Sequence, residues 1–105
     1  MGAVLREWRA IVRRALRDEY IGYVKSTGLV GYRRTPGNLG AVVAVRDLDE
    51  DRSEIVTLRW WKDEESIVAF AGKDFRRARC YPDDDRYLLS RPDTVQHYTS
   101  SELTE

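Results

Sequence analysis

Two β-rich runs, residues 41–48 and 54–61, are separated by only five polar residues, Asp49-Glu50-Asp51-Arg52-Ser53. So short a polar connection between such runs reads as an antiparallel hairpin. Along the first run Ala41, Val43 and Val45 share one side, opposite Val42, Ala44, Arg46 and Leu48. Along the second, Val56, Leu58 and Trp60 oppose Ile55, Thr57, Arg59 and Trp61. Each strand therefore has one apolar side and one side where arginine sits among large apolar groups. The apolar sides are expected to pack together under helices, and the mixed sides to share the other face of the sheet.

Helical patterns flank the hairpin. Val12, Ala15, Leu16, Tyr20, Tyr23 and Val24 recur at steps of three and four, which predicts a helix over residues 12–27, ended by Gly28. Ahead of it, residues 4–10 suit a strand carrying Trp8. Residues 28–40 hold four Gly and Pro36, and Pro36-Gly37-Asn38 marks a turn rather than a phosphate-binding loop, because a strand and not a helix follows. After the hairpin, Asp63 is an N-cap, Glu64 and Glu65 occupy a first turn, and Ile67, Val68, Phe70 and Ala71 form a stripe up to Gly72. A short helical piece over 75–80, an acidic loop at Asp83-Asp84-Asp85, and strands over 87–89 and 95–99 complete the chain.

The order β-α-β-β-α-(short α)-β-β matches a ferredoxin-like split βαβ sandwich, an α+β fold with an antiparallel sheet and helices on one face. The 105 residues suit a single domain, 1–105. On this reading Val42, Ala44, Ile55 and Trp61 lie exposed together, a larger apolar patch than soluble monomers usually show. Two sheets packed face to face would cover it, giving a homodimer with Arg46 and Arg59 at the cavity between the sheets.

Composition narrows the partners. Eighteen basic and 18 acidic side chains cancel, which disfavours a general nucleic-acid binder. No apolar run is long enough to cross a bilayer, and the opening MGAVLREWRA meets charge at once, so a soluble cytoplasmic domain without membrane contact is expected. A single cysteine, Cys80, cannot form an internal disulfide or a multi-thiolate metal site and reads as a buried structural residue. The Asp83-Asp84-Asp85 run lacks calcium-loop spacing and reads as a solvated turn, so no metal is expected.

His97, the only histidine, shares a strand side with Val95 and Thr99 and is the expected general base, since its ordinary pKa lies near neutrality. Trp8, Trp61 and Tyr98 would wall a flat aromatic ligand, with Arg59 or Arg46 holding a developing oxyanion. Arg6 and Arg9 are expected in salt bridges with Glu7 or with acids of a partner chain.

The stretch from Trp60 through WKDEESIVAFAGKDFRRARCYPDDDRYLL to VQHY, together with the upstream EYIGYVKSTGLVGYRRTPGNLG, resembles the antibiotic biosynthesis monooxygenase superfamily of dimeric α/β barrels. The resemblance implies a cofactor-independent monooxygenase acting on an aromatic or polyketide-like small molecule; the alternative is a non-catalytic dimeric ligand-binding or pathway-accessory protein. Quinone-forming members use an Asn, a Trp and polar aromatic neighbours. Trp60 or Trp61 could fill the Trp role, but the only Asn here is Asn38, in the turn. Haem-degrading members pair a first-strand Asn with a His near the second helix; this chain has neither, so no haem is expected.

Overall fold

A computed structural model describes residues 3–29, 34–78 and 82–101. Strand β1 (Val4–Arg13) leads through a 3₁₀ turn into α1 (Arg17–Val24), which passes into a π-helical turn, Lys25–Leu29. The hairpin β2 (Asn38–Asp47) and β3 (Arg52–Trp61) follows, then α2 (Glu64–Ala71), a one-turn helix α3 (Asp84–Tyr87), β4 (Leu88–Ser90) and β5 (Gln96–Thr99). The antiparallel sheet runs β2-β3-β1, and the far edge of β1 is shared. There β5 pairs with residues 4–7 and β4 with residues 11 and 12. This is the expected α+β arrangement, with the fourth strand position filled by two short pieces. No helix among the described residues is long and apolar enough to cross a membrane.

The hairpin register decides the two faces, and it differs from the sequence expectation. Asp49 closes the turn by accepting from the backbone N–H groups of Asp51 (2.9 Å) and Arg52 (2.8 Å), and Leu48 N–H donates to Arg52 O (2.9 Å). Asp47 then stands opposite Ser53, Val43 opposite Thr57 and Ala41 opposite Arg59. Odd residues thus share a face with odd residues. The apolar side of β2 lies with the mixed side of β3, and both turn toward the helices. Ser53, Ile55, Thr57, Arg59 and Trp61 are all buried there, alongside Arg6, Trp8, Ala10 and Val12 of β1. The open face carries Val42, Ala44 and Arg46 with Val56, Leu58 and Trp60, plus Leu5, Glu7, Arg9 and Ile11 of β1.

Other differences have local causes. β1 runs on to Arg13 where a helix was expected from residue 12. Val12 fits both a helical stripe and the alternation Trp8-Ala10-Val12, and cross-strand pairing with Ser53 gives it a fully buried place. Asn38 opens β2 instead of sitting in the turn, and its amide donates to Trp60 O (3.4 Å). The piece around residue 75 is a turn rather than a helix, because its backbone bonds to a distant segment: Ala78 N–H to Asp93 O and Val95 N–H to Arg76 O, both at 2.8 Å. Cys80 lies outside the described residues. Asp84 is not in a solvated loop: it is 2% exposed and accepts from Tyr20 OH (3.0 Å), within an aromatic group formed by Tyr20, Tyr23 and Tyr87. That buried bond draws the acidic run into a helical turn.

α2 forms as expected. The Asp63 carboxylate accepts from Ser66 N–H (2.9 Å) and Ser66 OH (2.7 Å), and Gly72 closes the helix at φ +89°. Ile67, fully buried, and Phe70, packed on Trp61, face the sheet.

Candidate functional site

Three strands place three basic side chains in one row on the helix side of the sheet. Arg6 on β1 stands opposite Arg59 on β3 and opposite His97 on β5. Arg6 and Arg59 are 0% and 2% exposed; His97 is half-buried. Arg59 donates to the hydroxyl of Thr57. Arg6 donates from Nη1 to Phe75 O and approaches His97 Nε2 at 3.0 Å. A guanidinium can only donate, so Nε2 is the accepting nitrogen and the imidazole carries its proton on Nδ1. The Phe75 ring meets the imidazole edge-on, with centroids 5.2 Å apart at 76°.

Desolvation, then the charges of Arg6, Arg59 and Arg76, push the His97 pKa down from its ordinary value to about 4. His97 is therefore neutral at pH 7. Because the folded value lies below the unfolded one, the unfolded chain binds more protons between about pH 6.5 and 4, and stability contributed by neutral His97 is lost as pH falls through that window. This contribution is about 2 kcal/mol after allowance for solvent screening of a half-buried ring. Denaturation of the parent chain and of His97→Gln at pH 7 and pH 4 should show the parent losing about that much more; parallel losses would refute the burial of His97 against the arginines.

A cavity of about 450 Å³ opens beside this row, between α2, the turn at Phe75 and Arg76, and the segment from Thr94 through β5. That volume falls within the range of small-molecule sites. His97 and Tyr98 border it, with Arg76 and Glu64 the other charged or titratable side chains in its lining. Among the described residues, the exposed carboxylate of Glu64 is the lining's one acidic group.

The structure divides the residues singled out from sequence. His97 lines the cavity, and Arg59 stands in the same row two strands away. Trp8 and Trp61 are buried on the helix side but serve as packing: Trp8 lies 6.5 Å from Tyr20 and Trp61 5.3 Å from Phe70, ring centre to ring centre, and neither lines the cavity. Arg59 and Trp61 are thus not on the open face, as the expected strand pairing had them. Arg46 is on that face, exposed and bonded to Glu54 (2.9 Å) beside a second hollow of about 410 Å³. Tyr98 stands opposite Leu5, 49% exposed, on the rim. Arg9 makes the expected ion pairs with Glu7 (3.5 Å) and Glu54 (2.7 Å). Arg6 is buried, donating to Phe75 O and meeting His97. Its signal lay in the sequence, since it occupies the phase of Trp8, Ala10 and Val12, the buried side of β1. The role of Arg76 had no such signal, because it comes from the backbone pairing of residues 76–78 with 93–95.

No family model and no curated protein matches the sequence. Solved structures do match the fold. A candidate antibiotic biosynthesis monooxygenase from Bacillus cereus superposes with a TM-score of 0.70 at 12% identity, covering 99% of this chain and all of the other. A second, from Chloroflexus aurantiacus J-10-fl, gives 0.60 at 18% identity over 99% and 98%. A Streptomyces coelicolor monooxygenase, solved in complex with nanaomycin D, gives 0.61 at 14% identity over 99% and 91%. Along almost its whole length, this chain has the fold of the antibiotic biosynthesis monooxygenase structures.

Proposed function

We propose that the chain is a cofactor-independent monooxygenase acting on an aromatic, polyketide-like small molecule held in the cavity beside His97. The observation that carries this reading is the row Arg59–Arg6–His97 beside a ligand-sized cavity, on a fold whose Streptomyces coelicolor representative was solved with nanaomycin D. Cofactor-free oxygenation needs a substrate that can give an electron-rich carbanion or enolate. A positive group beside the site stabilises such an anion, and Arg76 lines the cavity. For an anthrone, the ring CH₂ loses two hydrogens and gains one oxygen atom as a carbonyl, while the second oxygen atom leaves as water. The four electrons given up by the carbon are those taken up by one dioxygen. His97 Nε2 faces Arg6, so the Nδ1–H is the imidazole's group for the substrate, as a hydrogen-bond donor to the developing oxyanion.

The reading includes a homodimer. Val42, Val56, Leu58 and Trp60 make an apolar open face, crossed by the ion-pair row Glu7–Arg9–Glu54–Arg46. Alternating charges in such a row can meet their complements on a second copy.

Oxygen uptake with an anthrone tests the proposal. Uptake of one dioxygen per anthrone is expected, with kcat reduced about a hundredfold to a thousandfold in His97→Phe, the scale of losing one oxyanion donor. Unchanged turnover in His97→Phe would remove His97 from the site. The position of Nε2 against Arg6 leaves no free basic nitrogen on that side and favours a second reading, ligand binding without turnover. Saturable anthrone binding without oxygen uptake would establish that reading instead.

A further inference from the structure

We propose that Phe75 is a positioning residue for His97: its carbonyl and its ring together fix Nε2 against Arg6 and leave Nδ1–H as the imidazole's group for a ligand. The inference deepens the proposed site, and only its catalytic consequence rests on that reading. Two contacts from this one residue close a loop of interactions. Arg6 Nη1 donates to Phe75 O, and the same Nη1 meets His97 Nε2 at 3.0 Å. A guanidinium Nη carries two N–H bonds, so holding one on the carbonyl of residue 75 sets where the other points. The Phe75 ring then packs on the imidazole itself, with centroids 5.2 Å apart and planes at 76°, the edge-to-face arrangement that aromatic pairs favour. Both side chains line the cavity.

Distant backbone pairing makes this possible. Val95 N–H donates to Arg76 O and Ala78 N–H to Asp93 O, both at 2.8 Å. The segment after Phe75 is thereby strapped to the segment that enters β5, which carries residue 75 alongside residue 97. An imidazole has two orientations related by a half-turn about its Cβ–Cγ bond. The half-turn would put Cε1, a carbon that accepts no hydrogen bond, where Nε2 now meets Arg6. The Phe75 ring, packed on the imidazole, opposes that turn. Arg6, Arg59 and Arg76 are the charges that act on the ring, with Glu64 and Tyr98 in the same cavity lining; none of them is altered in the variants that test this role.

His97 is the only histidine, so nitrogen-15 signals of its ring report the tautomer without ambiguity in the ligand-free full chain. The parent should carry its proton on Nδ1. Phe75→Leu keeps the carbonyl and much of the apolar bulk but loses the ring. It should show mixed tautomers and a His97 pKa about half a pH unit higher, the roughly threefold effect of one lost aromatic pair. Phe75→Tyr restores the ring and should restore the parental signature. Ile67→Val thins another buried wall of the same cavity and should change neither readout. A change in Ile67→Val as large as in Phe75→Leu would make general loosening the cause and overturn the inference, as would a Phe75→Leu signature identical to the parent's. Should Phe75→Leu not fold, Phe75→Met carries the same comparison. A parent chain that takes up no oxygen with an anthrone would overturn the proposed reaction, while the nitrogen-15 signature still decides the role of Phe75.

Discussion

Trp61→Ala should lower the free energy of unfolding by about 4 kcal/mol, the cost of removing a large aromatic ring from a packed core. Trp61 is 0% exposed, at the end of β3, and its ring lies 5.3 Å from Phe70 of α2. Its removal opens a hole between sheet and helix that the rigid strand cannot close. Trp60→Ala is the matched control: the neighbouring residue on the same strand turns to the open face and is only partly buried. Within a single protomer its loss should cost about 1 kcal/mol. Chemical denaturation at a dilution where only protomers exist, with the slope checked for constancy, separates the two. Equal costs, or a larger one for Trp60, would mean that the faces of β3 are reversed. Since a domain of this size has about 5–15 kcal/mol in total, Trp61→Phe supplies a milder variant of the same sign.

Val42→Asp should convert a dimer at micromolar concentration into a monomer, weakening association at least a hundredfold. Val42 is 42% exposed on the open face, opposite Leu58, so a carboxylate there remains hydrated in a lone protomer and costs its folding little. In a face-to-face pair the same carboxylate would be buried without a partner, and each 1.4 kcal/mol of that penalty is a factor of ten in dissociation constant. Sedimentation of the parent chain and of Val42→Asp, each with its unfolding curve, is the measurement. A parent chain that sediments as a stable monomer would overturn the homodimer, as would a variant that stays dimeric.

The first of these variants concerns the strand that sequence reading had the wrong way round, β3, whereas Val42 lies on the open face as expected. Both hairpin strands were legible in their alternation, and so were the residues on each side of each strand. How the two alternations combine was not. A shift of one residue in register exchanges every side chain between faces, and here the register follows from Asp49 gathering the N–H groups of Asp51 and Arg52. The candidate site shows the same division. His97 stood out as the one histidine, but its chemical character depends on Arg6, 91 positions away in sequence. Read alone, His97 looked like a base; in the structure its Nε2 meets Arg6, and burial with the nearby arginine charges lowers its pKa and keeps it neutral at pH 7. The Asp84–Tyr20 bond, 64 positions apart, likewise turned an apparent solvated loop into a buried helical turn.

Local chemistry in the sequence determined the elements and their order: the polar turn between two β-rich runs, Asp63 and Gly72 bounding α2, and the resulting α+β arrangement. Those features depend on residues a few positions apart, where hydrogen bonding and side-chain period act directly. Tertiary structure alone decided which face of β3 meets the helices, what the buried Arg6 meets, and where the cavity opens. These outcomes depend on strand register and on contacts between distant segments, whose energies are comparable among alternatives until the whole sheet is assembled.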